Sequence, residues 1–210
     1  MVIINYGMGN LHSVLKAIER LNYSAKISES KEDILNADKL LLPGVGHFGS
    51  GMKRLKELGY YDILNKKVLE DKTPILGICL GMQLFTKHSE EGDTEGFGWI
   101  DAETKRFEFP GDAHHKYRVP HIGWNTVDVT KKDNVLMTDI LEKDENPAFY
   151  FVHSYFVQCK NESDVLLKTE YGNEFVSGVN KGNIYGTQFH PEKSHSIGLN
   201  IIKNFIEKVN

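Results

Sequence analysis

The chain has 210 residues, with 25 Lys and Arg against 29 Asp and Glu, and its formal net charge of −4 favours neither nucleic acid nor an acidic membrane surface as a partner. This length suits one domain, or two small ones, and allows a buried core without disulfide bonds. Two Cys exclude a disulfide scaffold, and no apolar run approaches the roughly 20 residues of a membrane span, so we expect a cytoplasmic protein with reduced thiols.

The first half of the chain alternates between predicted strands and predicted helices. Short apolar runs bounded by Gly or Pro are typical of buried parallel strands, and apolar residues at helical spacing predict the helices between them. The strands are predicted at 2–5, 24–28, 39–42 and 73–78, and the helices at 11–21, 31–36, 51–58, 62–69 and 80–86. Such alternation indicates βαβ units and a mostly parallel sheet with helices on both faces.

The second half is richer in predicted strands. They lie at 99–107, 125–130, 148–158, 165–170 and 174–189, the last broken at Gly182-Asn183, and a helix at 197–209 closes the chain, with loops at 90–98 and 110–120. Turns join these strands, so we expect them to be antiparallel and either to extend the sheet or to pack beside it. With no repeat or linker in the sequence, we predict a single α/β domain over residues 1–210.

Two glycine-rich loops partly match a dinucleotide-binding pattern. Gly44-Val-Gly46-His-Phe-Gly49 fits G-x-G-x-x-G, whereas the loop at 7–12 ends in His12, which is too bulky for the third glycine. The first loop is followed, after its next strand, by Cys79 rather than by the acid that binds a ribose. A nicotinamide or flavin site stays open as an alternative to simple tight βα turns, and we expect no cofactor.

The segment at 73–85 carries the strongest chemical signal. An apolar strand runs into Gly77-Ile-Cys79-Leu-Gly81 and then into a helix, which is the nucleophile-elbow pattern with Cys in place of Ser. The turn would expose the thiol at the carboxyl edge of the sheet, beside a helix N-terminus that favours thiolate. The alternative is a small buried Cys in an ordinary βα turn. Cys159 follows the alternating strand and has neither flanking glycines nor a helix after it, so we interpret it as structural.

The segment His190-Pro-Glu192 supplies a base for this thiol, His190, and a carboxylate that could orient that base, Glu192. An extended backbone around the proline would point both side chains the same way, so Glu192 could accept a hydrogen bond from His190 Nδ1 and leave Nε2 facing the thiol. A surface His–Glu pair is the alternative. His114, His115 and His121 lack the spacing of a ligand set, so we expect no metal site.

Together these motifs resemble the class I, triad-type, glutamine amidotransferase family. The elbow is followed by Gln83, and the loop Pro43-Gly44-Val45-Gly46 matches the oxyanion loop of that family. The resemblance covers essentially the whole chain and implies a flavodoxin-like class I glutaminase fold. Three further segments resemble the glutaminase subunits of imidazole glycerol phosphate synthases, at 5–13, 120–125 and 150–155.

The resemblance implies that glutamine is hydrolysed to glutamate and ammonia. Cys79 would attack the amide carbon, His190 would protonate the leaving ammonia and later activate water, and Glu192 would orient His190. The oxyanion would be bound by the Leu80 N–H and by an N–H of the loop, from Val45 or Gly46. The residues implied to hold the substrate are Gly44, Gln83, His153, Ser154 and Tyr155.

The resemblance also implies a partner, a (βα)8-barrel cyclase that forms a heterodimer with the glutaminase. That partner would take the ammonia through a channel and make imidazole glycerol phosphate and a purine-pathway carboxamide, so we expect low glutaminase activity without it. The implied interface residues are Asn10, His12, Trp124 and Lys193.

Three alternatives stay open. A class I glutaminase that serves another synthase would share all of these motifs. A catalytically silent regulatory domain would share only the fold, and the intact Cys79, His190 and Glu192 argue against it. A cysteine hydrolase or peptidase would share the elbow, and the loop at 43–46 argues against that.

Overall fold

The computed structural model describes residues 1–109, 111, 113–142 and 145–209. The strands are β1 (Val2–Ile4), β2 (Lys26–Ser28), β3 (Leu40–Gly44), β4 (Ile75–Cys79), β5 (His88–Ser89), β6 (Thr94–Glu95), β7 (Ala102–Arg106), β8 (His121–Thr126), β9 (Asp128–Val129), β10 (Ala148–His153), β11 (Tyr155–Cys159), β12 (Val165–Tyr171), β13 (Asn173–Lys181) and β14 (Ile184–Thr187). The helices are α1 (Leu11–Arg20), α2 (Lys31–Leu35), α3 (Phe48–Glu57), α4 (Tyr60–Asn65), α5 (Leu80–Gln83), α6 (Ala113–Lys116), α7 (Thr138–Leu141) and α8 (His195–Lys208), with a π-helical turn at Lys66–Glu70 and 3-10 turns at Glu162–Asp164 and Pro191–Lys193.

A parallel sheet forms the centre of the fold, as the sequence predicts. Its strands lie in the order β2-β1-β3-β4-β14, and each neighbouring pair is parallel. Parallel neighbours end at one edge of the sheet, where Gly44 of β3 lies opposite Cys79 of β4. His190 follows β14 by three residues at that same edge. The carboxyl edge therefore collects the residues that the sequence motifs single out.

The antiparallel strands both extend this sheet and pack beside it. β13, β11 and β7 continue the sheet from β14 by antiparallel pairing, and β5 and β6 follow, with β5 parallel to β7. β12 pairs with β13 and β9, while β10 and β8 form a separate two-stranded antiparallel sheet. The prediction that the later strands are antiparallel is wrong for β14, which is antiparallel to β13 but parallel to β4, and for β7, which is antiparallel to β11 but parallel to β5.

The single strand predicted at 148–158 is also wrong. The chain leaves one sheet and enters the other at Ser154, so β10 and β11 have different neighbours. The alternation conceals this break, because Phe151, His153 and Val157 stay buried in the same two-residue phase on both sides of it. Alternation in the sequence indicates which side chains are buried. Here β10 and β11 are buried alike, although they belong to two different sheets.

Several predicted boundaries also shift. The helix predicted at 80–86 is only the single turn α5, and two non-helical turn hydrogen bonds follow, Phe85 N–H to Met82 O and Thr86 N–H to Gln83 O. β3 continues through Pro43, where we predicted its end. α7 and the two-residue strands β5 and β6 were missed, because elements this short show no periodicity. The loop predicted at 110–120 contains the short helix α6. Two residues of the predicted loop, Pro110 and Asp112, lie outside the described residues.

Apolar side chains cover both faces of the central sheet. On β3, Leu40 and Leu42 belong to one buried cluster and Leu41 to the other, and all three are fully buried. A strand buried on both faces is apolar without alternation, which explains the continuous apolar runs of the first half. Among the described residues, no helix is both long and apolar enough to cross a membrane.

Candidate active site

Cys79 lies at a tight turn between β4 and α5. Its backbone has φ 54° and ψ −111°, a conformation that costs an L-residue about 1–3 kcal/mol. A Cβ at Gly81 would collide with the carbonyl oxygen of Leu42, and one at Gly77 would lie 2.6 Å from the ring of Phe85. Close packing therefore requires both flanking glycines, which is the steric basis of the elbow pattern.

The thiol of Cys79 is a free, buried group at the carboxyl edge of the sheet. Only 6% of the residue is exposed, and both cysteines of the chain are unpaired. Sγ lies 3.9 Å from the carbonyl oxygen of Val152 and 3.7 Å from Nε2 of Gln188. Because α5 is a single turn, its free N–H groups rather than a long helix dipole face this region.

His190 and Glu192 form a buried pair beside the thiol. Nδ1 of His190 and Oε1 of Glu192 are 2.8 Å apart, and their side chains are 3% and 2% exposed. The extended backbone predicted here is wrong, because Pro191–Lys193 forms a 3-10 turn that brings Glu192 back to the imidazole ring. Nε2 of His190 is buried and has no hydrogen-bond partner among the described residues.

The charges around His190 favour its protonated form. Burial opposes a positive charge on the ring, but the interactions with Cys79 and Glu192 outweigh it and raise the pKa of His190 to about 9. At neutral pH the imidazole is therefore a proton donor next to the sulfur. A protonated imidazole beside a cysteine favours the thiolate, which is the activated form of such a nucleophile.

The loop after β3 approaches the nucleophile closely. A Cβ at Gly44 would collide with the hydroxyl of Tyr6 and would lie 3.0 Å from Cβ of Leu80. Val45 and Gly46 follow, and both line the same cavity as Leu80. Leu80 is the first residue of α5, so its N–H has no acceptor within the helix. The backbone groups predicted to bind an oxyanion thus surround one space.

A cavity of about 300 Å³ opens over Cys79. The residues that line it are Val45, Gly46, Cys79, Leu80, Gln83, Glu91, Pro120, Val152, His153, Ser154 and Tyr155. Of the predicted substrate residues only Gly44 is absent from the lining. Glu91, which no motif marks, lines the cavity as well, and its Oε2 accepts the N–H of Phe48 at 2.7 Å.

Gln83 is tied into the protein rather than free to reach into the cavity. Its Nε2 donates to the carbonyl oxygen of Tyr155 at 2.9 Å and to Oε1 of Gln188 at 3.0 Å. Gln83 is 5% exposed and Gln188 is fully buried. Sequence analysis missed Gln188, although it stands two residues before His190.

Two of the predicted interface residues meet in a cleft next to the His190 turn. Trp124 is 48% exposed and stacks on the ring of His195 at 5.0 Å, and Nζ of Lys193 lies 6.0 Å from the ring centre of Tyr150. These four residues line a cavity of about 340 Å³. The other two predicted residues, Asn10 and His12, lie at the start of α1, which packs against the turn Pro191–Lys193.

The remaining candidates do not assemble into sites. Burial raises the pKa of the Cys159 thiol to about 12, with Asp164 adding to the effect, so Cys159 is a poor nucleophile. In the part of the chain that the structure describes, no group of three or more His, Cys, Asp or Glu could hold a metal ion. The side chain of His114 lies outside the described residues.

Comparisons with known proteins fit this geometry. The family model described as Glutamine amidotransferase class-I matches residues 2–209. Similar curated proteins include imidazole glycerol phosphate synthase subunit HisH 2 of Methanococcus maripaludis, 51% identical over 99% of both chains, and subunit HisH 2 of Pseudomonas aeruginosa, 44% identical over 100% of both. Among solved structures, a glutamine amidotransferase has a TM-score of 0.74 at 21% identity, covering 98% of this chain and 97% of that one. PurLQS of Thermotoga maritima has a TM-score of 0.73 at 18% identity, covering 100% and 98%, and at such identities these two show the fold alone.

Proposed function

The chain belongs to the class I glutamine amidotransferase family and, within it, to the HisH subunits of imidazole glycerol phosphate synthase, and from this premise we propose that it hydrolyses glutamine through a triad of Cys79, His190 and Glu192. The observation that carries the proposal is the strained, glycine-flanked Cys79 beside the buried His190–Glu192 pair. The family match over residues 2–209 supports a single amidotransferase domain over residues 1–210.

The first half of the reaction forms a thioester. The Cys79 thiolate attacks the side-chain amide carbon of glutamine, and the carbonyl oxygen becomes an oxyanion. The Leu80 N–H and an N–H from Val45 or Gly46 stabilise it, each by about 3–4 kcal/mol in the barrier. Nε2 of His190 then gives its proton to the departing nitrogen, which leaves as ammonia.

The second half releases glutamate. His190, neutral after the first half, takes a proton from water as that water attacks the thioester carbon. A second oxyanion forms in the same place and collapses, and the sulfur leaves as thiolate. Glu192 stabilises the imidazolium that is restored, which agrees with the raised pKa of His190.

The cavity also has groups for the amino-acid end of glutamine. Glu91 is a carboxylate at its wall and suits an ammonium group, and the backbone segment of Ser154 and Tyr155 belongs to the lining of the same cavity. His153 and Gln83 hold that backbone by hydrogen bonds to the Tyr155 carbonyl oxygen, so we assign them a positioning role in substrate binding. The role of Gly44 is steric, because its lack of a side chain lets the loop approach Tyr6 and Leu80.

The ammonia is used by a partner, which we propose is a (βα)8-barrel cyclase bound as a heterodimer. The cyclase would make imidazole glycerol phosphate and the purine-pathway carboxamide of histidine biosynthesis. The cleft with Trp124 and Lys193, together with Asn10 and His12 on α1, is the proposed contact surface. The thiolate mechanism requires a reduced Cys79, which supports a cytoplasmic location.

The test is a glutaminase assay with and without a barrel cyclase and its nucleotide substrate. We expect glutamate release that rises when cyclase and nucleotide are added and is lost in Cys79→Ala, while the matched variant Cys159→Ala stays active. No release under any condition would refute the enzyme assignment. Release that survives Cys79→Ala would refute the nucleophile, and release that ignores the cyclase would point to a different synthase.

A further inference from the structure

Gln188 is a buried side chain in contact with the nucleophile, and the mechanism above gives it no role. It follows β14 directly and is fully buried. Its Nε2 lies 3.7 Å from Sγ of Cys79, within the range of an N–H···S hydrogen bond. A buried amide with this placement either donates to the sulfur or presents its oxygen to it, and these two orientations have opposite consequences for a thiolate.

The surrounding hydrogen bonds decide which end of the amide faces the sulfur. The carbonyl oxygen of Tyr155 can only accept, so Gln83 must direct its NH2 group toward it, at 2.9 Å. The second N–H of that NH2 group points to Gln188 at 3.0 Å, where it requires an oxygen. With its oxygen used in this way, Gln188 presents its own NH2 group to Cys79.

The same carbonyl is fixed from its other side by two histidines. Nδ1 of His153 donates to the carbonyl oxygen of Tyr155 at 2.8 Å, which leaves Nε2 of His153 as the acceptor for Nδ1 of His121 at 3.0 Å. Burial lowers the pKa of His121 to about 4 and that of His153 to about 3, so both rings are neutral at physiological pH. Each bond of the network then has one donor and one acceptor.

We propose that Gln188 is a further catalytic residue of this site: its amide N–H donates to Cys79 Sγ and stabilises the thiolate, and Gln83 holds the amide in the donating orientation. The inference rests on the proposed glutaminase function. No proton is transferred in this interaction, and an amide does not titrate at ordinary pH, so the stabilisation acts wherever sulfur carries negative charge. These are the states before attack on glutamine and during departure from the thioester.

The test combines activity with the reactivity of the thiol. Gln188→Met removes the donor at similar size, Gln188→Glu replaces it with a negative charge, and Gln158→Glu makes the same charge change at an exposed glutamine as the control. Rates of iodoacetamide alkylation are measured against pH on the chain alone, and kcat/KM for glutamine is measured with the cyclase and its nucleotide. Apart from the carboxyl group that Gln188→Glu introduces, the titratable groups near the sulfur are the same in every variant: His190, Tyr6, Glu91, Glu192 and His153.

In Gln188→Met we expect the pH of half-maximal alkylation to rise by about one unit and kcat/KM to fall about 10- to 100-fold, as for loss of one hydrogen bond to a charged group. Gln188→Glu should shift the alkylation midpoint further, and Gln158→Glu should leave both quantities unchanged. If Gln188→Met keeps the wild-type midpoint and kcat/KM, the role of Gln188 is refuted. A wild type that releases no glutamate would instead refute the proposed function.

A second measurement uses the native side chain, so that it does not depend on folding of the variants. The glutamines of the chain are Gln83, Gln158 and Gln188, and selective ¹⁵N labelling makes their side-chain amides visible by NMR. Gln158→Glu removes one signal and identifies it. We expect one of the other two amide pairs to move as the thiol titrates, and to stay still in Cys79→Ala. Absence of any such movement in the wild type would refute the hydrogen bond.

Discussion

Gly44 is the residue at which β3, the nucleophile turn and the buried Tyr6 come closest together. The hydroxyl of Tyr6 fills the space that a side chain at Gly44 would need, and Cβ of Leu80 lies 3.0 Å from the same point. This hydroxyl is buried without a hydrogen-bond partner among the described residues, and burial, with Cys79 nearby, raises the pKa of Tyr6. Space, more than backbone conformation, explains why this position is glycine.

Gly44→Ala is therefore expected to push the loop that carries Val45 and Gly46 away from the oxyanion. Loss of one donor should lower kcat/KM about 100-fold or more. Tyr6→Phe alone should be nearly neutral in activity and stability, because it removes an unpartnered hydroxyl. The double variant should recover part of the lost activity, since the phenyl ring leaves room for the new methyl group. Steady-state kinetics on the three variants checks this, and an absence of recovery would contradict the steric explanation.

Glu192→Gln tests the charge of the His190 pair at nearly constant shape. Burial opposes the imidazolium, and Glu192 is one of the groups whose interaction raises the pKa of His190 to about 9. Without that charge the pKa should fall, so the alkaline limb of kcat/KM, where His190 loses the proton that it gives to ammonia, should move to lower pH. The pH profile of glutamine hydrolysis with the cyclase measures this shift. The exposed Glu57→Gln is the control, and an unmoved limb would contradict the assignment of His190.

At the scale of elements, the two-stranded sheet of β8 and β10 supplies one wall of the cavity. Its paired residues His121 and His153 carry buried neutral rings with pKa values of about 4 and about 3, which burial lowers from 6.5. The unfolded chain binds more protons than the folded one below about pH 6.5, so folding stability falls as pH decreases from there. His190 affects stability at higher pH. Its raised pKa contributes stability that is complete below about pH 6.5 and is lost as pH rises toward 9.

His121→Asn tests the loss of stability below about pH 6.5. The Asn amide keeps a donor near the position of His121 Nδ1 but does not titrate. Each buried ring should cost about 1.5 kcal/mol of stability between pH 6.5 and pH 5. The variant is expected to be less stable than wild type at pH 6.5, owing to its smaller side chain, but to lose only about half as much on acidification. Urea unfolding at the two pH values measures this, with the exposed His12→Asn as control. Equal losses in wild type and His121→Asn would contradict it.

At the scale of the whole molecule, the cleft between β8, β10 and the start of α8 lies next to the turn that carries Glu192. The exposed ring of Trp124 stacks on His195, and Lys193 is the last residue of that turn. A partner that covers this cleft would contact the same backbone segment that holds the catalytic pair. That continuity gives a physical route by which binding could change the glutaminase site.

Trp124→Ala is expected to weaken cyclase binding at least about tenfold, as for a large aromatic at an interface centre. The cyclase concentration that gives half-maximal stimulation of glutamate release measures this. Leu35→Ala, at an apolar residue of α2 that is 42% exposed, is the matched control. If both variants bind the cyclase like wild type, the cleft is not the contact surface.

Much of the fold followed from local pattern. Continuous apolar runs predicted β1, β3 and β4, helical spacing predicted α1 and α8, and two glycines at fixed spacing predicted the turn at Cys79, because each of these features depends on neighbours in the chain. Short motifs likewise predicted the family. Elements of two to four residues were missed, since they depend on contacts that periodicity does not record.

The motifs predicted most of the site residues, and only the tertiary structure added Gln188 and Glu91 to them. Ser154 separates two sheets although its flanking strands keep one alternation, and β14 lies parallel to β4 although it follows an antiparallel neighbour. Through these two pairings Gln188 comes to Cys79 and Tyr155 comes to Gln83. The sequence determined the chemistry available at each position, and long-range strand pairing determined which positions meet, because pairing depends on residues far apart in the chain.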